Sequence, residues 1–253
     1  MSKLANKVAI VTGATIGMGQ AIAERFAAEG AAIVAGGRDA ERGKALIDGI
    51  RAAGGRAELV TGDIGTLETN QALVARAREA FGGVDILVAN AGTLGIGSVT
   101  EVSLETWHEC IATNLHAVFY LCRAGIPELQ ARGGGSIVIN GSIAAMKAFP
   151  NHPAYCASKG ALIPLVKQLA LDYGPTIRAN VMCPGPVDTP LLWDSAKAFP
   201  DPAVAVQNAG ARTALKRLGL PADIANLALF LASSDSSWIT GSAFTIDGGA
   251  LVS

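Results

Sequence analysis

Short apolar runs rich in β-branched residues recur along the chain, and amphipathic stretches fall between them. The runs read KVAIVT (7–12), AAIVAG (31–36), RAELVT (56–61), VDILVAN (84–90), GSIVIN (135–140), IRANVMC (177–183) and AFTID (243–247). Most are hydrophobic almost without a break, the pattern of strands buried on both faces of a parallel sheet. Helical periodicity occupies 17–29, 40–53, 67–81, about 103–131, 153–173 and 221–232. Such alternation predicts βαβ units with right-handed crossovers, joined in one doubly wound α/β sheet with helices on both faces. No linker, repeat or low-complexity tract interrupts residues 1–253, so a single domain is expected. Residues 186–212 hold four prolines and no strand pattern, and interruptions of this kind are often lids or binding loops.

Composition narrows the class. Half the residues are hydrophobic, 16% are charged and the formal net charge is −1, so neither nucleic acid nor an anionic membrane is an expected partner. Cys110, Cys122, Cys156 and Cys183 form no CxxC pair, and His108, His116 and His152 form no ligand cluster. No metal site or disulfide framework is therefore expected. No apolar run reaches the length of a signal peptide core or a membrane span, which makes the cytoplasm the expected location.

The first run leads into TGATIGMG (12–19), with Gly13, Gly17 and Gly19 where a strand turns into a helix. Helix N-terminal amides favour phosphate, and glycine lets a pyrophosphate approach the main chain. The spacing is GxxxGxG, so it supports dinucleotide binding of some kind on a Rossmann-type sheet. At the end of the second run, Gly37 is followed by Arg38 and Asp39. An acid at that tip would bind the ribose hydroxyls and repel a 2′-phosphate, whereas arginine favours the phosphate. Asp39 reads as the N-cap of the next helix, which leaves Arg38 and a preference for NADP(H), with NAD(H) as the alternative.

A second constellation is Tyr155 and Lys159 in NHPAYCASKGALIPL. Four residues apart, they share one face of a helix otherwise suited to burial. A buried lysine is costly unless its charge is used. A nearby ammonium favours phenolate, so Lys159 is expected to lower the pKa of Tyr155 from about 10 toward neutrality, where acid–base catalysis operates best. His152 reads as an exposed loop histidine and Cys156 as a small packing residue.

Taken together, TGATIGMG (12–19), GDI (62–64), NAG (90–92), Asn114 in IATNLHAVF, Ser142 in VINGSIAA, YCASK (155–159), PGPVDTP (184–190) and TGSAFTIDGG (240–249) closely resemble the short-chain dehydrogenase/reductase family, in its order and over essentially the whole chain. Ala89 departs from the asparagine often found before the NAG triplet. The resemblance implies about seven parallel strands and a nicotinamide cofactor at their C-terminal ends. It implies cofactor contacts from Gly13, Thr15, Ile16, Gly17, Gly19, Arg38, Asp63, Ile64, Asn90, Ala91, Gly92, Pro184, Gly185, Val187 and Thr189, together with Tyr155 and Lys159. Tyr155 would exchange the proton, Ser142 would hydrogen-bond the substrate oxygen, Lys159 would hold the nicotinamide ribose, and Asn114 would hold a water leading from Lys159 to solvent. Family members are commonly tetramers or dimers, and a homotetramer is expected.

The substrate is expected between the sheet edge and the 186–212 segment. Ser142, Ala144, Phe149, Tyr155, Leu192 and Trp193 are the binding candidates, with Leu94, Ile96, Met146 and Leu191 as further apolar lining. A mostly apolar pocket suits a secondary alcohol or ketone of small to medium size. The alternatives are an NAD(H)-dependent sugar or polyol dehydrogenase, a 3-oxoacyl-thioester reductase, and a nucleotide sensor without catalysis, since fold does not dictate function.

Overall fold

In the computed structural model, which describes residues 2–253, seven parallel strands form one sheet in the order β3-β2-β1-β4-β5-β6-β7. They are β1 (Val8–Thr12), β2 (Ala32–Gly37), β3 (Arg56–Thr61), β4 (Ile86–Ala89), β5 (Gly135–Asn140), β6 (Ile177–Pro184) and β7 (Ala243–Ile246). Alternate side chains of each central strand enter opposite cores, as the two-residue period requires. Ala9, Val11, Ile33 and Ala35 pack against α1 (Gly17–Ala28), α2 (Ala40–Ala52) and α10 (Pro221–Ala232), around Ile22, Phe26, Leu46 and Leu229. Val8, Ile10, Ala32 and Val34 face α3 (Leu67–Phe81), α5 (Ala117–Ala131) and α7 (Leu162–Tyr173), around Leu73, Leu121 and Val166. Strand order reverses between β1 and β4. Their C-terminal ends therefore diverge and leave a crevice, the usual ligand position in an open α/β sheet.

Two predicted helices are divided, each for a local reason. The stretch from about 103 to 131 comprises α4 (Leu104–Ile111), one turn of π-helix at Ala112–His116, and α5. The wide turn carries Asn114 and is a form often found at functional sites. The 153–173 stretch resets at Ala161 between α6 (Pro153–Gly160) and α7. Pro164 offers no N–H to the Gly160 carbonyl one turn back, so a continuous ladder cannot form there.

The 186–212 segment is not the irregular loop that its prolines suggested. It folds as α8 (Pro190–Ala196) and α9 (Pro202–Arg212). Pro190 and Pro202 take the first helical position, where the missing N–H costs nothing, and the Asp201 side chain caps α9 by accepting from Val204 N at 3.1 Å. Among the described residues, no helix is long and apolar enough to cross a membrane.

Candidate active site

A cavity of about 280 Å³ opens at the β1–β4 crevice, and the glycine turn forms its floor. Gly13 has φ +62°, and a Cβ there would lie 2.7 Å from Ala91 Cα. Only glycine lets the two loops approach this closely. Gly19 does not line the cavity. It packs against the turn, where a Cβ would sit 2.1 Å from the Gly13 carbonyl oxygen. Helix α1 begins with Ile16 as N-cap, no side-chain cap and no acid in its first turn. Its first amides are left to the cleft, as a phosphate requires. The residues present thus fit a dinucleotide.

Asn90 ties the floor to β4, donating from Nδ2 to the Thr12 and Gly13 carbonyls at 3.0 and 3.2 Å. Thr15, Ile16, Gly17, Arg38, Asp63, Ile64, Ala91, Gly92 and Thr189, all named from the sequence, line the cavity. Pro184, Gly185 and Val187 do not line it. A Cβ at Gly185 would meet Asp247 Cα at 2.6 Å, and Val187 is buried.

The end of the cavity beside β2 carries two arginines. Exposed Arg38 reaches Glu109 on α4 at 3.6 Å. Asp39 is the N-cap expected, accepting from Arg42 N at 2.9 Å, and its carboxylate also pairs with Arg42 Nε at 3.0 Å. Arg42 lines the cleft as well and was missed. It sits three residues into the helix, where side chains lean back toward the N-terminus, and that spacing was a readable signal.

At the other end of the crevice, β5 and α6 bring together Ser142, Tyr155 and Lys159. Ser142 lies two residues beyond β5, and its Oγ accepts from Ala144 N at 3.0 Å. Lys159 is buried, donates to the Asn140 carbonyl at 2.7 Å, and has its Nζ 5.7 Å from the centre of the Tyr155 ring. Burial dominates both titrations. It pushes the Tyr155 phenol up to about 12, with the Ser142 hydroxyl opposing, and pulls the Lys159 ammonium down to about 8. The expected depression of the Tyr155 pKa by Lys159 is therefore reversed. Loss of hydration outweighs the opposing Ser142 hydroxyl, and the ammonium is not among the groups that shift the phenol.

Asn114 is fully buried and its amide is already committed. Oδ1 accepts from Thr93 N at 2.8 Å, while Nδ2 donates to Thr93 O at 2.9 Å and to Ser158 Oγ at 2.9 Å. Its side chain clamps the loop after β4 to α6. Gly92 separates it from Lys159: a Cβ there would lie 3.5 Å from both Asn114 Oδ1 and Lys159 Nζ. Asn140 was not anticipated. Its carbonyl holds Lys159, its Nδ2 donates to Asn90 Oδ1 at 2.9 Å, and its Oδ1 is buried without a partner. An asparagine closing an otherwise apolar strand was the available clue.

The substrate side is open and largely apolar. Ile96, Met146 and Trp193 are substantially exposed, Phe149 and Leu192 are half-buried, and Ala144 is buried. Leu191 lines the dinucleotide cavity. His152, expected in solvent, is buried with both ring nitrogens engaged.

Comparison with known proteins bears on this geometry. Residues 13–250 match the family model described as Enoyl-(Acyl carrier protein) reductase. The chain is 39% identical over 249 residues to a 2,5-dichloro-2,5-cyclohexadiene-1,4-diol dehydrogenase of Sphingobium indicum, covering 98% of this chain and 97% of that protein. It is 36% identical over 266 residues to a 3beta-hydroxysteroid dehydrogenase of Mediterraneibacter gnavus, covering 98% and 96%. Among solved structures, L-sorbose reductase of Gluconobacter frateurii, complexed with NADPH and L-sorbose, superposes with TM-score 0.93 at 35% identity over the full length of both chains.

The Lys159 titration gives a test by stability. Below about pH 8 the native state holds a buried charge that the unfolded chain hydrates freely. Between about 8 and 10.5 the native lysine releases its proton while the unfolded one keeps it, so native stability rises with pH through that window. The melting temperature of wild type relative to Lys159→Met should climb from pH 7 to pH 10, by the equivalent of about 3 kcal/mol. A difference independent of pH would contradict the burial.

Proposed function

The chain belongs to the short-chain dehydrogenase/reductase family of NAD(P)-dependent oxidoreductases acting on CH–OH groups, and from that premise we propose that it interconverts a secondary alcohol and a ketone of small to medium size and mostly apolar character, with NADP(H) as the preferred cofactor. The observation that carries this is the gathering of Ser142, Tyr155 and Lys159 at one end of a dinucleotide crevice. When bound, the nicotinamide supplies or accepts the hydride.

The chain's own groups do the rest. Amides at the head of α1 and the loops at Gly13 and Asn90–Gly92 hold the dinucleotide, with Asp63 and Ile64 at the adenine. Thr189, which lines the cleft, orients the carboxamide side. Lys159 binds the ribose and stays protonated at neutral pH. The Ser142 hydroxyl donates to the substrate oxygen, where charge develops in the transition state. Tyr155 Oη gives that oxygen a proton during reduction and removes it during oxidation. Asn114 holds the loop at Thr93 and the helix that bears Lys159 in register.

Arg38 and Arg42 support the NADP(H) preference, since two guanidiniums there suit a 2′-phosphate, while the adjacent acid Asp39 is engaged as the α2 N-cap and with Arg42. The apolar side chains at 96, 146, 149, 192 and 193 support an apolar, ring-bearing substrate, in keeping with the cyclic diol and steroid named for two relatives. Residues 186–212 act as the lid of a single domain. A sugar or polyol substrate is the second reading, favoured by the likeness to the sorbose reductase. Exposed Phe119 on α5 and Leu171 on α7 suit assembly through these helices into a homotetramer.

A panel of cyclic ketones, keto-sugars and 3-oxoacyl thioesters, followed by loss of NADPH absorbance, tests the reading. Tyr155→Phe should lower turnover at least a thousandfold with NADPH affinity within about threefold of wild type; retained turnover would remove Tyr155 as the proton donor. Arg38→Asp should shift the NADPH/NADH ratio of kcat/KM at least tenfold toward NADH. An unchanged ratio would show that the 2′-phosphate is read elsewhere.

A further inference from the structure

His152 occupies the residue before α6, and its backbone carbonyl accepts from Cys156 N at 2.9 Å in the first turn of the helix that bears Tyr155. Its side chain is 3% exposed and lies between two elements. Nδ1 is 2.6 Å from the Pro150 carbonyl oxygen, and Nε2 is 2.8 Å from Ser195 Oγ on α8. A carbonyl only accepts, so Nδ1 carries the proton; in the neutral ring Nε2 must then accept from the Ser195 hydroxyl. One tautomer satisfies both contacts, and neither nitrogen is left for a substrate. The preceding Asn151 takes a left-handed φ of +60°, uncommon outside glycine, and its carbonyl accepts from Gly97 N at 2.9 Å. The turn that presents His152 is thus pinned to the loop after β4. The imidazole also packs beside the Phe149 and Tyr155 rings, with centroids 6.5 and 6.4 Å away.

Helix α8 joins two places. Its first turn, through Thr189 and Leu191, walls the dinucleotide cleft, and its last turn ends at Ser195 beside His152. We propose that the His152–Ser195 hydrogen bond is a latch that holds α8 against the head of the Tyr155 helix, making His152 a positioning residue that couples the wall of the dinucleotide cleft to the placement of the phenol. Apart from its N-terminal attachments and its packing against α9, this bond is the side-chain tie between the last turn of α8 and the head of α6. The Trp193 indole, anchored at Asp188 Oδ1 at 3.0 Å, sits on this helix and reports its position.

The test uses the full-length protein carrying Trp107→Phe and Trp238→Phe, which leaves Trp193 as the only tryptophan among the three in the chain. In this background, acrylamide quenching of Trp193 fluorescence should rise at least twofold in Ser195→Ala and in His152→Asn, which keeps a donor for Pro150 but cannot reach Ser195. It should stay at the parental value in Ser195→Thr, which retains the hydroxyl. NADPH affinity by calorimetry should fall about three- to tenfold in the first two variants, and their double variant should be no worse than either alone, because both remove the same bond. Unchanged quenching and NADPH affinity in both single variants, or additive losses in the double, would overturn the latch. The quenching arm needs neither cofactor nor turnover. A protein that bound no NADPH yet showed the quenching pattern would overturn the functional proposal and uphold the latch.

Discussion

One buried ammonium organises this site. Lys159 sits almost wholly out of water, with a single carbonyl, that of Asn140, at hydrogen-bond distance. An unpaired charge in such a place is expensive, and its pKa falls accordingly. The surrounding framework exists to keep it there: Asn140 ends β5, Asn90 braces Asn140 from β4, and Asn114 fixes α6 through Ser158. Three asparagines on three elements thus hold one lysine at the end of a crevice. A bound dinucleotide gives that charge something to act on, which is the condition under which its burial is tolerable.

The same arrangement explains why the phenol is poor at ionising by itself. Burial raises Tyr155 more than the Ser142 hydroxyl lowers it. A phenol kept neutral near pH 7 is a proton donor in waiting, and it becomes a base only when additional positive charge arrives beside it. The oxidised nicotinamide ring carries such a charge. Under the proposed function, base strength would be tied to the cofactor being in place.

Much of this was legible in the sequence. All seven strands fall within one or two residues of the predicted runs; the central five, buried on both faces, leave a nearly unbroken hydrophobic signature. The glycine turn and the 155–159 pair carried the crevice and the reacting end. What escaped is of two kinds. Helices α8 and α9 were hidden because Pro190 and Pro202 read as breakers, although at a first helical position proline is compatible with a helix. Arg42 and Asn140 left traces in helix spacing and in an asparagine at a strand end, whereas the His152–Ser195 contact was hidden because it depends on the direction of side chains across a gap. Spacing along the chain does not encode burial, and burial set the sign of the Tyr155 shift.

Ultraviolet difference titration of the phenols, wild type minus Tyr155→Phe, tests the central claim most directly. The account predicts that Tyr155 ionises well above the ordinary value of 10, near 12, in the protein alone, and at distinctly lower pH once saturating NADP⁺ is present. A phenol titrating near 10 in both conditions, indifferent to the dinucleotide, would contradict it.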